Sequence, residues 1–213
     1  MNELYIIGTG SQARYVIEIC KSHKIKGLID ILDKNNVGKV INGVEVICHL
    51  DEIDRNLDPR SLEIIIAYGN NKKKEEIVKE LSKKNYKFAT MVSERAYVSS
   101  NTEIGHGCII NPNVTIMPNA KIGNHVIIHS GSVIEHDNEI GDYANISPGV
   151  VTAGYVKIGK GSYVYTRAAI IPRVKIGENV TVGAGAVVLN DVQDNSVVVG
   201  VPAKPIKKTN NGE

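Results

Sequence analysis

From Val92 onward an aliphatic residue returns every six positions and keeps that phase to Val188. Of the seventeen positions so reached, sixteen are Ile or Val, and Thr152 is the exception. The fifth residue of each block is small or β-branched, as at Ala96, Thr102, Cys108, Val114 and Ala120, and the second is often glycine. A helix needs apolar residues three and four apart, and hairpins need turn signals at irregular intervals, so neither fits. A strict period of six fits a triangular solenoid. Each block is then one short strand plus one corner, and three blocks make a coil of 18 residues. Coils stack at the ordinary inter-strand spacing of about 4.8 Å. The expectation is a parallel β-helix with the first residue of each block pointing into the prism and the register unbroken to Gln193.

The first 90 residues follow other periods. A short apolar run at 4–7 reads as a strand and is followed by Gly8-x-Gly10-x-x-Ala13, then a helix over 11–23. Strands are expected at 27–31 and 63–67, and a charged amphipathic helix at 72–84. Strands alternating with helices indicate a small Rossmann-like parallel α/β domain. The division is therefore residues 1–90 as the α/β domain and 91–213 as the β-helix domain, joined at 85–91. The polar, Lys-bearing tail after Gly200 is expected to be mobile at its end.

Composition narrows the class without naming it. The chain is 42% hydrophobic and 23% charged with a formal net charge of +2. Aromatics make up 5% and there is no Trp, so the basic stripe with interleaved aromatics of a nucleic-acid binder is missing. Cys20, Cys48 and Cys108 form no C-x-x-C pair, which points to reduced thiols rather than a zinc site or disulfides. No apolar run approaches the roughly 20 residues of a membrane span. No basic n-region opens the chain, so a cytoplasmic location is expected.

Two places carry chemistry. Gly8 and Gly10, between a strand and a helix, allow a backbone to approach phosphates at a helix N-terminus. Asp30, at the end of the second strand, stands where an acid reaches a ribose or base. A tight strand–helix turn is the alternative, and the domain is too short for a full dinucleotide fold, so a nucleotide-sugar is the better fit. In the β-helix, Ser132-Val133-Ile134-Glu135-His136-Asp137 puts His136 at a block position that does not face the core. His is the usual general base near neutral pH. Gly154, 18 residues on, brings a backbone N–H one coil higher, where it suits a developing oxyanion.

The stretch IHSGSVIEHDNEIGDYANISPGVVTAG, residues 128–154, resembles the left-handed β-helix sugar acetyltransferases built of hexapeptide repeats. The likeness is to the PglD/NeuD-like group, and it extends to the Gly-rich opening, GLID at 27–30, AYGNN at 67–71 and GVPAK at 200–204. The resemblance implies transfer of acetyl from acetyl-CoA to the 4-amino group of a UDP-linked amino-dideoxy sugar, within a homotrimer and without a metal. It implies His136 as base with Asp137 supporting it, and Gly154 as donor to the thioester carbonyl. It implies Val201, Pro202, Ala203 and Lys204 along the CoA arm, and Gly8, Gly10, Asp30, Gly69 and Asn70 in a nucleotide-sugar pocket. Three departures bear on substrate contacts. Asn145 stands where many relatives have a second His, His129 where Asn occurs, and Ile31 where a second acid can meet uracil. The rival readings are O-acetylation of a sialic-acid-type sugar, a γ-carbonic-anhydrase-like metal hydratase using His106, His125, His129 and His136, and a non-catalytic trimeric scaffold.

Overall fold

The structure is a computed structural model and describes residues 3–20 and 22–208. It divides into two compact units, residues 1–92 and 93–213. The expected mobile end of the tail, residues 209–213, lies outside the described residues. Among the described residues no helix is long and apolar enough to cross a membrane.

The amino-terminal unit is built on β1 (Glu3–Ile7), α1 (Ser11–Ile19), β2 (Lys24–Asp30), β3 (Val40–Ile41), β4 (Val44–His49), α2 (Ile53–Asn56), β5 (Glu63–Ile66), α3 (Asn71–Lys83) and β6 (Lys87–Phe88). The sheet order is β3-β4-β2-β1-β5-β6, parallel except for the β3–β4 pair. The core is apolar on both faces of the central strands, with Leu4, Ile6, Ile7, Leu28, Ile29, Ile64 and Ile65 fully buried. Each such side chain contributes about 1.5–3 kcal/mol by leaving water.

Three expectations shift. Helix α1 stops at Ile19 instead of 23, because β2 starts at Lys24 and must run antiparallel to the helix axis within a few residues. The β3–β4 hairpin adds two strands to the expected pattern: β3, of two residues, lies at the sheet edge and leaves no periodic signal, and the six-residue β4 pairs with β2. Lys87–Phe88, read as part of a joint, is the edge strand β6.

β1 lies between β2 and β5, and the chain leaves β1 and β5 toward opposite edges of the sheet. That is a topological switch point, where a crevice opens at the strands' C-terminal ends. Gly8 (φ +122°) sits in it so closely that a Cβ would lie 2.6 Å from the Ala67 carbonyl oxygen. Gly8→Ala is therefore expected to destabilise the amino-terminal unit by about 1–3 kcal/mol from backbone strain, with the steric clash adding to it. Denaturant unfolding followed by a probe in this unit checks it. An unchanged midpoint would mean that the loop simply moves aside.

The second unit is a prism of three parallel sheets. The first face carries Ile109–Ile110, Ile127–Ile128, Asn145–Ile146, Tyr163–Val164 and Thr181–Val182. The second carries Tyr97–Val98, Thr115–Ile116, Val133–Ile134, Val151–Thr152, Ala169–Ile170 and Val187–Val188. The third carries Glu103–Ile104, Lys121–Ile122, Glu139–Ile140, Lys157–Ile158 and Lys175–Ile176. Strands pair at an offset of 18, as in Ile110↔Ile128 and Ile128↔Ile146. The aliphatic first residues from Ile110 to Val188 form a buried column, with Val98 and Ile104 packed part-buried at its start and Val114, Ala120, Val126 and Ala144 filling the corners.

The register holds to Val188 and then slips, before the expected end at Gln193. Val192 pairs with Ile176 and Val198 with Val182, offsets of 16 rather than 18. The last coil is shortened at the corner after Leu189, and the chain then closes the first sheet with Ser196–Val199 and the antiparallel Lys204–Lys208.

The outer surfaces of the faces differ in kind. The third bears the ladder Glu103, Lys121, Glu139, Lys157 and Lys175, with Lys157 Nζ 2.9 Å from Glu139 Oε1. The second presents mainly apolar side chains, among them Val133, Met117, Ala153, Ala169 and Val187, with Tyr97, Val151, Ile171 and Leu189 exposed; Ser99, Thr115 and Glu135 are its polar positions.

Candidate active site

The corner between the second and third faces stacks Pro118, His136, Gly154 and Pro172 at 18-residue intervals. Proline has no N–H, so the coil ladder does not use an amide at this level. The Gly154 N–H accordingly has no acceptor among the described residues. His136 lies directly against Gly154: a Cβ on Gly154 would be 2.6 Å from both Cε1 and Nε2 of the imidazole. Only glycine leaves the ring room there.

The imidazole side chain is 48% exposed. Its Nδ1 is 2.7 Å from Asp137 Oδ2. Asp137 Oδ1 accepts from Asn119 Nδ2 at 3.2 Å. The Asp137 carboxyl is held below its usual range by the hydrogen bond from His136 first. Its slight desolvation opposes this, and bonds from Asn119 and the Tyr155 hydroxyl add to the lowering. An ionised carboxylate only accepts, so His136 Nδ1 is the N–H donor, and in the neutral imidazole the lone pair then lies on Nε2. Tyr155 packs edge-on to the imidazole, centroids 5.2 Å apart, and the Arg173 guanidinium lies 4.9 Å over the Tyr155 ring. Asn119, Tyr155 and Arg173 escaped the sequence reading. The signal was there: Asn119 and Tyr155 are 18 residues either side of Asp137, and Arg173 is 18 beyond Tyr155.

His129 and Asn145 belong to the first face, opposite this corner of the prism. One chain does not bring them to its own His136. Asn145 is fully buried, and its Nδ2 donates to the Tyr163 hydroxyl at 2.8 Å. Burial first, then the neighbouring Tyr165, pushes the Tyr163 phenol up to about 12. Val201, Pro202, Ala203 and Lys204 follow the last coil. The Val187 N–H donates to the Gly200 carbonyl, the Ala203 N–H donates to the Val187 carbonyl, and Val201 is left exposed.

In the amino-terminal unit Gly8, Gly10, Asp30, Gly69 and Asn70 all lie at or just after the C-terminal ends of β1, β2 and β5. Gly10 caps α1 without a side chain, and a Cβ there would meet nothing within 4 Å. Two of the other residues have structural work. Asn70 is the N-cap of α3, accepting from the Lys73 N–H at 2.9 Å. Asp30 is buried and accepts four bonds. Its Oδ1 takes the N–H groups of Leu32 and Asp33, each at 2.7 Å, and its Oδ2 takes the Thr9 hydroxyl and the Asn36 amide. Burial alone would raise this carboxyl, but the four donors outweigh it and hold it at about 2. A carboxylate has about four acceptor sites, and here all are filled. Asp30 thus ties the Gly8–Gly10 turn to the loop after β2.

Among the described residues no group of three or more His, Cys, Asp or Glu side chains is placed to hold a metal ion.

Comparison with known proteins places both units. Residues 3–81 match the PglD N-terminal domain family. Residues 101–136, 119–154 and 155–190 match the bacterial transferase hexapeptide family. The chain is similar to PerB from Caulobacter crescentus, solved with CoA and GDP-perosamine, at 28% identity and a TM-score of 0.90, over 97% of this chain and 98% of that one. It is similar to the acetyltransferase domain of PglB from Neisseria gonorrhoeae, solved with acetyl coenzyme A, at 28% identity and a TM-score of 0.89, over 96% and 99% of the two chains. WeeI from Acinetobacter baumannii matches at 27% identity and a TM-score of 0.84, over 95% and 99%. An uncharacterized protein of Acanthamoeba polyphaga mimivirus is 30% identical over 127 residues, and the chain spans about a quarter of that protein's length.

Proposed function

Because the chain belongs to the PglD-like hexapeptide-repeat sugar acetyltransferases, we propose that it moves acetyl from acetyl-CoA to the amino group of a nucleotide-linked amino-dideoxy sugar. The observation that carries this is the His136 corner, where an imidazole with a free Nε2 lies against an unused backbone amide. The sugar amine attacks the thioester carbonyl, Nε2 of His136 accepts the amine proton, and the Gly154 N–H stabilises the oxyanion. The tetrahedral intermediate collapses to the amide and releases CoA as the thiolate, which regains a proton. His136 and Asp137 are the catalytic pair, and no covalent enzyme intermediate is required. Cys108, whose Sγ is buried in the prism, takes no part.

The nucleotide belongs at the switch-point crevice. Helix α1 begins there with no side-chain cap and no acid in its first turn. Helix α3 has Lys72, Lys73 and Lys74 in its first turn and no acid. Lys73 pairs with Glu76 at 3.3 Å, and the positive end of a helix dipole favours an anion such as a diphosphate. With Asp30 fully occupied, Gly8 and Gly10 shape the phosphate loop while Gly69 and the Asn70 amide border the crevice. Val201 to Lys204 lie along the CoA arm. The test is thiol release from acetyl-CoA across UDP-, GDP- and dTDP-linked amino sugars beside free sialic acid. Release with one amino-sugar nucleotide supports the reading. Release with sialic acid alone would replace it with O-acetylation.

The working assembly is a homotrimer. The apolar second face is bordered by the His136 corner, while the half-buried His129 sits on the first face, away from its own chain's His136 and open only to another copy's; the fully buried Asn145 stays within its own prism. A charge on the second face is therefore expected to break the assembly. Ile171→Glu should run as a folded monomer by light scattering and lose most of its turnover. A trimer with full activity would remove this face from the interface.

A further inference from the structure

The one break in the aliphatic column is Thr152, and it does not stand alone. Its neighbour across the prism wall, Asn138, fills a fifth position that is Ala, Val, Ser or Cys in most blocks. Both side chains are fully buried. Asn138 Nδ2 donates to the Glu135 carbonyl at 2.7 Å and to Thr152 Oγ1 at 2.9 Å, and its Oδ1 accepts from the Val156 N–H at 2.6 Å. The Thr152 hydroxyl donates to the Val133 carbonyl at 3.3 Å and accepts from the Glu135 N–H at 3.4 Å. Burying two polar side chains in an aliphatic column is costly unless every group is paired, and here every one is.

What the pair holds is the peptide on both sides of Glu135, the residue that leads into His136. Glu135 is gripped at its N–H and its C=O, and Asn138 itself ends the turn that carries His136 and Asp137. The third member, Val156, closes the next coil's turn through Gly154 and Tyr155. Other buried hydroxyls in the prism do less. Ser162 Oγ, at the corner between the third and first faces, donates to the Gly177 carbonyl at 2.8 Å and accepts from the Val180 N–H at 3.0 Å. It touches no residue of the His136 corner.

We infer that Asn138 and Thr152 are positioning residues: they fix the 135–138 and 153–156 turns so that His136 Nε2 and the Gly154 N–H face one reacting carbonyl. The inference rests on His136 as the base proposed above. Fold stability alone does not call for this pair, since the remaining coils reach it with Ile or Val and a small residue. A backbone set a fraction of an ångström off would leave the fold intact and misalign the two groups.

The experiment is the double variant Asn138→Ala/Thr152→Ile, which gives this coil the residues its neighbours carry. It is measured beside wild type, Ser162→Ala and His136→Ala. The expected result is a thermal midpoint at or above wild type, kcat lower by roughly 10- to 100-fold, and an unchanged KM for acetyl-CoA. The 15N signals of the His136 ring should shift in the double variant and stay in place in Ser162→Ala, which also keeps its kcat. Thr152→Ser, which retains the hydroxyl, should restore turnover. If the double variant does not fold, Thr152→Val tests the same hydroxyl by exchanging it for a methyl, and a fall in kcat is again expected. Wild-type kcat in a folded double variant, with His136→Ala inactive, would overturn the positioning role and leave the base in place. Full turnover in His136→Ala would remove the base and this inference with it.

Discussion

His136→Ala is expected to lower kcat by about 10²–10⁴-fold, the usual worth of a positioned general base. The KM for acetyl-CoA should hardly move. The imidazole is half exposed and belongs to no core cluster, so its removal leaves no cavity and the thermal midpoint should stay near that of wild type. The amine proton then loses its imidazole acceptor, while Asp137, which stays tied to Asn119, sits one residue off the place the ring occupied. Steady-state thiol release at saturating nucleotide-sugar, with calorimetric titration of CoA, separates lost chemistry from lost binding. Turnover at the wild-type rate would show that another group receives the proton.

Gly154→Ala is the second large effect. A single methyl there would stand 2.6 Å from Cε1 and Nε2 of His136, well inside contact distance. The ring must turn away, and the rotation costs its bond to Asp137 or its approach to the carbonyl. A misplacement of about 1 Å is worth roughly 100-fold in rate, so kcat should fall by that order while the solenoid remains folded. The backbone amide survives the substitution, so the loss would report the position of the imidazole rather than removal of the oxyanion donor. A crystal structure of the variant should show the ring displaced. An unmoved ring with normal kcat would mean that the turn carrying Gly154 yields instead.

Both effects trace to a position that an 18-residue count reaches. His136 and Gly154 could be paired on paper because a coil of fixed length puts residues 18 apart on top of one another. The same count finds Asn119, Tyr155 and Arg173, which nothing marks as functional until Asp137 is taken as their centre. In the amino-terminal unit the count has no equivalent. Gly8, Gly10, Asp30 and Asn70 could be recognised as turn and cap chemistry, but no period says which nearby amides turn back onto Asp30, and one of its donors, Thr9, comes from 21 residues away. Asp30 looked available to a ribose or base. Leu32, Asp33 and Asn36 fill its acceptors because the loop after β2 turns back on it, and Thr9 completes the set because β1 and β2 lie side by side.

The sequence by itself determined the β-helix, its coil length, the column of inward Ile and Val, and the corner that carries His136. Each follows from a local period repeated many times, and a repeated period leaves little freedom in how coils stack. The change of two residues after Val188 escaped it, since one shortened corner carries no period of its own. Only the tertiary structure decided that Asp30 is spent on the fold, with Thr9 completing its four donors, and that His129 and Asn145 face away from their own chain's His136. It alone showed that Thr152 and Asn138 share a buried network. Hydrogen bonds between side chains depend on which atoms meet across coils and strands, and that is set by three-dimensional packing rather than by spacing along the chain.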